Sequence, residues 1–255
     1  MTKLDSVDYE CGRGHYYYHP KNGKMASVTS VLETIYAPRL EDWKIKQGIE
    51  YALKNDLKHV KGGLKGKVAH IRDMMEIESD NNKLIGTITH TEVENYLNTG
   101  VFLEEAHSEA INNSLESFMS FIDSLPEDGW KLKSAENQVW HSITFDKRKY
   151  WYAGTVDTIL EIDGLDYLLD WKTSRTLTLN NKAQVVAYGK AYDAKHKKKL
   201  SGKWVVRIPK ISGDYFDQYI VDDQDEQHCW NIFRGCLVAF HNLIDVEENF
   251  DFYSG

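Results

Sequence analysis

The stretch that most constrains this 255-residue chain is 153–174, which reads AGTVDTILEIDGLDYLLDWKTS. Two short apolar runs flank the dipeptide Asp163-Gly164, a turn signal. The first run, Thr155 to Ile162, alternates with a period of two and carries Asp157; the second, Tyr167 to Trp171, leads through Asp170 to Lys172. This pattern predicts a β-hairpin. Side chains two apart on a strand share a face, so Asp170 and Lys172 project together while Trp171 turns into the packing. Antiparallel pairing across the turn brings Asp157 to the same end of the sheet as Asp170, placing two carboxylates and an ammonium about one point. Mg²⁺ and Mn²⁺ keep several waters and need few protein ligands, so a carboxylate pair with room for water suits them. The lysine is then placed to orient, or help deprotonate, a water for attack on phosphorus.

The rest of the chain is consistent with one large α/β domain, or a core with a helical insertion, at 42% hydrophobic residues. No run approaches the roughly 20 apolar residues of a membrane span. The first residues, MTKLDSVDYE, show no signal or transit pattern, so the expectation is an intracellular protein without a membrane partner. Cys11, Cys229 and Cys236 cannot form a full set of disulfides and fit a reducing compartment. The net charge of −8 speaks against a nucleic-acid partner, but its distribution softens the objection. Lys54, Lys58, Lys61, Lys65 and Lys67 cluster around glycine bends, and 195–199 reads KHKKK; both runs are either solvated surface or phosphate contacts.

Taken in order, 15–37 predicts a short aromatic hairpin turning at 21–24 and a helix in which Ser30 and Glu33 fit a capping box, ended by Pro38. From 40 to 125 the pattern is helical in four segments, 41–54, 67–78, 89–97 and 108–125, separated by Gly-rich, Asn-rich or Pro breaks. A strand is predicted over 132–142, with Glu136 just ahead of its alternating part, and another over 149–158, where Tyr150, Trp151 and Tyr152 either stack bases or pack. In the helix predicted over 182–195, Gln184 and Tyr188 are four apart and share a face, expected to look back at Lys172. Thr173 and Ser174 either meet a phosphate or make the turn after the strand. Strands at 203–208 and 215–221 and an amphipathic helix over 223–244 close the fold.

Gly154-Thr155-Val156-Asp157, Asp170-Trp171-Lys172-Thr173-Ser174 and Gln184-Val185-Val186-Ala187-Tyr188 together resemble the PD-(D/E)XK nuclease superfamily. Within it they resemble the RecB-type branch of Cas4-like and mitochondrial genome maintenance exonucleases. That branch runs G-x-x-D, a spacer, D-x-K-T-S, then a helix with Q-x-x-x-Y. Upstream, Gly86-Thr87-Ile88-Thr89-His90 resembles the family's G-x-x-x-H, which implies that His90 is a metal ligand. Glu136 matches a glutamate that joins the site in Cas4-like relatives. Gln184 and Tyr188 are implied to position DNA and the attacking water. Ser27-Val28-Thr29 is similar to an S-V-T on the DNA path of the mitochondrial-type enzymes, so Ser27 and Thr29 are either phosphate contacts or helix caps. Some relatives carry a four-cysteine iron–sulfur cluster. With three cysteines, and no tight spacing between Cys229 and Cys236, packed thiols and no cluster are expected here.

The resemblance implies an α/β restriction-endonuclease-like fold, a mixed β-sheet core flanked by helices, in a single domain over 1–255. A helical region over roughly 27–130 is expected to lie over the site, with the sheet core and closing helix in 131–255. The implied activity is metal-dependent hydrolysis of DNA. Asp157, Asp170 and His90 would hold Mg²⁺ or Mn²⁺, Lys172 would orient the water and stabilise charge on the phosphate, and Glu136 and Gln184 would assist. The products would carry 5′-phosphate and 3′-hydroxyl ends. An exonuclease on single-stranded DNA ends is favoured. The other readings are an endonuclease on the same core and a non-catalytic nucleic-acid-binding protein, against which the intact Asp157, Asp170 and Lys172 argue.

Overall fold

The structure is a computed structural model and describes residues 4–8, 15–35, 38–104 and 106–249. Three strands open it, β1 (Asp5–Asp8), β2 (His15–His19) and β3 (Gly23–Ser27), followed by the single-turn helix α1 (Val28–Leu32). Helices α2 (Pro38–Lys54), α3 (Gly63–Thr99) and α4 (Glu109–Asp123) come next. The central hairpin strands follow, β4 (Trp130–Phe145), β5 (Arg148–Ile162) and β6 (Leu165–Lys172). Then come helix α5 (Leu179–His196), strands β7 (Gly202–Arg207) and β8 (Asp217–Ile220), and helix α6 (Asp223–Asn249). This is the mixed α/β architecture expected from the sequence.

The eight strands form one mixed sheet in the order β1-β2-β3-β5-β6-β7-β8, with β4 alongside β5. Only β3–β5 and β6–β7 are parallel. The turn between β5 and β6 is the Asp163-Gly164 pair, with φ of 50° and 79°, the left-handed geometry that a two-residue hairpin favours. One feature of β5 positions everything else. On the flank away from β4 it pairs with β3 at Tyr152 and Ala153, and with β6 only from Thr158 onward. Gly154 to Asp157 lie in the fork between these two neighbours, where the sheet changes partners, the kind of crevice in which α/β sheets place ligands.

The main core lies between the sheet and α1, α5 and α6, where Tyr152, Val156, Ile159, Val186, Phe233 and Leu237 are all buried. Helix α4 covers Trp171, which meets Phe118 and Phe121 edge-on at 5.4 and 5.3 Å between ring centres. Trp171 therefore turns into the packing, and its indole N–H donates to Thr158 Oγ1 at 2.9 Å. Tyr150 and Tyr152 are buried as well, which favours packing over base stacking for that pair. Cys229 is buried in the core and Cys236 packs against it; Cys11 lies outside the described residues.

Two expectations are corrected. The cap of α1 is Ser27, whose hydroxyl accepts the Ser30 N–H at 3.1 Å, and the Ser30 hydroxyl instead accepts the His15 N–H at 3.0 Å. A buried serine between two strands and a helix serves the nearest orphan N–H, and tertiary placement decided which. The helices predicted over 67–78 and 89–97 are one 37-residue helix, α3, running through Asn81, Asn82 and Gly86. These residues each cost a helix about 1 kcal/mol or less, which the adjoining turns absorb. Glu136 lies inside β4, within the strand predicted over 132–142.

The chain divides into two compact units, one of 1–35 with 89–255 and one of 36–88. In the second, Gly48 of α2 faces Ile71 and Met75 of α3, and the Tyr51 hydroxyl lies 3.4 Å from His70 Nε2. No helix among the described residues is long and apolar enough to cross a membrane.

Candidate active site

The site lies in the first unit, where the fork of β5 meets the end of β6. The pairing of Thr158 with Leu169, carried one step further, sets Asp157 across from Asp170. Asp157 Oδ2 accepts the backbone N–H of Trp171 at 2.9 Å, so the carboxylate itself bridges the two strands where their ladder ends. Lys172 lies beyond Trp171, and its ammonium stands 2.6 Å from Asp170 Oδ2. The two-residue period of β6 thus joins Asp170 and Lys172 as the sequence predicts.

Asp170 is fully buried, and neither of its oxygens has hydrogen-bond geometry to a neighbour, the Lys172 contact being an ion pair only. Burial pushes its carboxyl up, against the pull of Lys172. The same burial pulls the Lys172 ammonium down, but Asp170 and Asp157 outweigh it and hold the lysine above its ordinary value. The two carboxylates therefore favour a charged lysine, placed to donate to a water or to a phosphate oxygen.

His90 comes from α3, where Thr89 and Val93 are buried on the face that anchors this part of the helix. Its Nδ1 is 3.5 Å from Asp157 Oδ2. Burial lowers its pKa more than Asp157 raises it, so the imidazole is neutral, the form that coordinates metals. Two residues on, Glu92 is buried and accepts the N–H groups of Leu103 and Glu104 at 2.6 and 3.3 Å, with His107 Nε2 2.9 Å from its Oε1. That clamp fixes the helix end carrying His90.

Glu136 is opposite Asp157. It is skipped between the pairs Ala135–Thr158 and Asn137–Val156 and has φ of +48°, a left-handed conformation that costs an ordinary L-residue about 1–2 kcal/mol. Such strain concentrates at functional sites. Desolvation first, then the charges of Asp157 and Glu94, raise its carboxyl to about 7, while solvent on its exposed side moderates the shift. Glu94, four residues past His90 on the same helical face, adds its charge to the field at Glu136; it was not singled out from the sequence, although that spacing was the signal for it.

On the other side of β5 the Tyr188 ring packs against Gly154, where an added Cβ would stand 2.3 Å from Tyr188 Cε1. The glycine of G-x-x-D is thus a seat for this ring. Gln184 Nε2 donates to the Tyr188 hydroxyl at 3.0 Å. Burial raises the Tyr188 phenol well above its usual value, and Asp170 and Asp157 add to the effect, which places the pair beside the carboxylates. The helix starts at Leu179, earlier than predicted, because Thr178 and Asn181 form a capping box.

The remaining candidates are less central. Ser27 is buried and occupied as a cap, and Thr29, 2.9 Å from the Ser27 hydroxyl, is exposed. The Ser174 hydroxyl donates to Thr176 O at 3.0 Å in the turn after β6, and Thr173 is half-buried. In the 195–199 run, Lys195 Nζ donates to Asn137 Oδ1 at 3.2 Å and Gln138 O at 2.5 Å, and Lys198 pairs with Asp166; Lys197 and Lys199 are exposed.

Among the described residues, no three His, Cys, Asp or Glu side chains converge as a preformed metal cage. The donor set still suits a hard, water-rich cation: Asp170 presents a buried carboxylate without hydrogen bonds, and Asp157 lies across the ladder from it. The pH dependence tests this set without reference to activity. Between the unfolded value near ~4 and about 7, the native Glu136 binds a proton that the unfolded chain does not. Stability therefore falls as pH rises through that window, and Asp170, also raised, adds in the same direction. The thermal midpoint should drop from pH 5 to pH 8. Glu136→Gly, which tolerates the left-handed backbone, should flatten the drop and gain up to about 1 kcal/mol. A midpoint that rises with pH, or is unaffected by this substitution, would contradict the assignment.

No family model matches the chain, and no curated protein matches it. Among solved structures it is similar to SSO0001, at 14% identity and a TM-score of 0.38, over 87% of this chain and 79% of the other. It is also similar to a provisionally assigned exonuclease from Eubacterium rectale, at 12% identity and a TM-score of 0.42, over 63% of this chain and 67% of the other. At these values the functional reading rests on the site itself.

Proposed function

We propose that this protein is a metal-dependent DNA nuclease, an exonuclease acting on single-stranded ends. The observation that carries the reading is the buried Asp170–Lys172 pair at 2.6 Å, set beside Asp157 and a neutral His90 at the fork of the sheet. Asp157 and Asp170, with His90, would hold Mg²⁺ or Mn²⁺. When bound, such an ion polarises the scissile phosphate and lowers the pKa of a coordinated water. Lys172, held as a cation, donates to the attacking water or to a non-bridging oxygen and offsets the charge that develops there. Glu136, whose carboxyl is raised by burial and by the charges of Asp157 and Glu94, would take the proton of the attacking water and return one to the departing 3′ oxygen. Tyr188, seated on Gly154 and held by Gln184, would help position DNA and the attacking water beside the carboxylates. Attack of the water oxygen on phosphorus with departure of the 3′ oxygen leaves 5′-phosphate and 3′-hydroxyl ends. The preference for single-stranded ends rests on the family resemblance.

The deciding experiment offers end-labelled linear and circular single-stranded DNA to the protein with Mg²⁺, Mn²⁺ or EDTA. Loss of the linear substrate alone, abolished by EDTA, is the expected result, and the labelled end reports the polarity. Cutting of the circle would replace the exonuclease with an endonuclease. Binding without cutting would leave only a nucleic-acid-binding protein.

A further inference from the structure

We propose that Tyr17 and Thr155 form a phosphate-contact subsite beside the carboxylate cluster, holding the nucleotide that adjoins the scissile bond. The inference rests on the nuclease reading. The Tyr17 phenol oxygen, carried by β2, lies 3.1 Å from Thr155 Oγ1. Thr155 is two residues before Asp157 on β5, hence on the same face, about 6–7 Å along the strand. Two electrostatic neighbours locate the phenol at the site: the Glu136 charge acts on Tyr17, and Tyr17 acts on Tyr188, itself in the field of Asp170 and Asp157.

The position is built rather than incidental. Gln138, paired with Thr155 across the β4–β5 ladder, receives the Leu4 N–H on Oε1 at 2.7 Å and returns a hydrogen bond from Nε2 to Leu4 O at 3.1 Å. Leu4, Tyr17, Met25 and Ala153 then bury one another as a small separate cluster. Four strands thus converge to hold one hydroxyl pair next to the acidic groups.

The chemistry suits a phosphodiester. The carboxylates of Glu94, Glu136 and Asp157 beside the hydroxyl pair repel an anionic backbone. Burial, only partly opposed by the Thr155 hydrogen bond, keeps the phenol protonated; one hydroxyl donates to the other, which leaves the pair a free O–H donor, polarised by the mutual bond, that adds no negative charge. Tyrosine and threonine hydroxyls are among the ordinary ligands of DNA phosphates. The bland alternative is that the bond merely anchors β2 to β5, and the two readings separate experimentally.

Tyr17→Phe, Thr155→Val and Thr155→Ser are compared with wild type on a linear single-stranded oligonucleotide. KM is measured with Mg²⁺, and Kd by fluorescence anisotropy with Ca²⁺ in its place. Tyr17→Phe and Thr155→Val should each weaken binding roughly tenfold, as expected for a lost hydrogen bond to a charged group, with the loss in KM rather than kcat. Thr155→Ser, which keeps the hydroxyl, should restore binding. A neutral methylphosphonate at the linkage next to the scissile one should weaken wild type similarly and Tyr17→Phe no further. Unchanged KM and Kd in Tyr17→Phe, with only a lower melting temperature, would overturn the subsite in favour of the anchor. If wild type degrades no DNA, the nuclease reading fails separately. Anisotropy then decides alone: weaker binding by Tyr17→Phe supports the subsite, and equal binding overturns it.

Discussion

If the protein is the nuclease proposed, Lys172→Met should lower DNA hydrolysis by about 10²- to 10⁴-fold, the range for loss of a positioned proton-handling or charge-stabilising group, and weaken the fold as well. The physical reason for the second effect is Asp170, a fully buried carboxylate whose partner is the Lys172 ammonium at 2.6 Å. Removing one member of a buried pair typically costs about 3–5 kcal/mol; protonation of Asp170, already driven upward by burial, sets the loss toward the lower end. The informative variant is therefore Asp170→Leu with Lys172→Met. Replacing a buried ion pair by well-packed hydrophobic groups of similar volume is commonly neutral or stabilising, so the double variant should recover most of the stability while remaining inactive. Denaturant unfolding read beside initial rates separates the two quantities. Full turnover in Lys172→Met, or activity returning with stability in the double variant, would remove Lys172 from the chemistry.

Asp157→Asn should lower hydrolysis by about 10²–10³-fold and leave the protein folded. An asparagine carbonyl can still accept the Trp171 N–H that Asp157 Oδ2 now accepts at 2.9 Å, but it carries no charge for a divalent cation. Asp157→Ala should lose the same activity and about 1–3 kcal/mol of stability besides, because the Trp171 N–H at the fork is left without its partner. Titration calorimetry with Mn²⁺ checks the cause directly. Affinity should fall strongly in Asp157→Asn, and equal Mn²⁺ binding by wild type and this variant would show that the carboxylate serves the fold alone.

These experiments exploit a division of labour within β5 and β6. Asp157 ties β5 to β6 through the Trp171 N–H and Asp170 balances the buried Lys172 ammonium, so single substitutions at either position disturb the fold as well as the candidate site. Conservative replacements, Asn for Asp and Met for Lys, keep the volume and, for Asp157, a hydrogen-bond acceptor while removing charge.

The sequence by itself determined the hairpin of 155–172. Its turn residues accept positive φ, its period of two fixes that Asp170 and Lys172 share a side, and Trp171 is left to the packing; all of this is local and survives any arrangement of the remaining chain. The helical spacing of Gln184 and Tyr188 was readable in the same way. Tertiary structure alone decided the rest of the site. The fork that exposes Gly154 to Asp157 exists because β3 and β6 divide the same flank of β5, a pairing between segments far apart in the chain. The same non-local packing brings Tyr17 to Thr155 and His90 to Asp157, and turns Glu136 onto a left-handed backbone inside a strand whose alternation gives no hint of it. Hydrophobic periodicity records which side of an element is buried but not which distant element covers it. The charge state of Lys172 depends on that covering, through the competition between desolvation and the two carboxylates beside it.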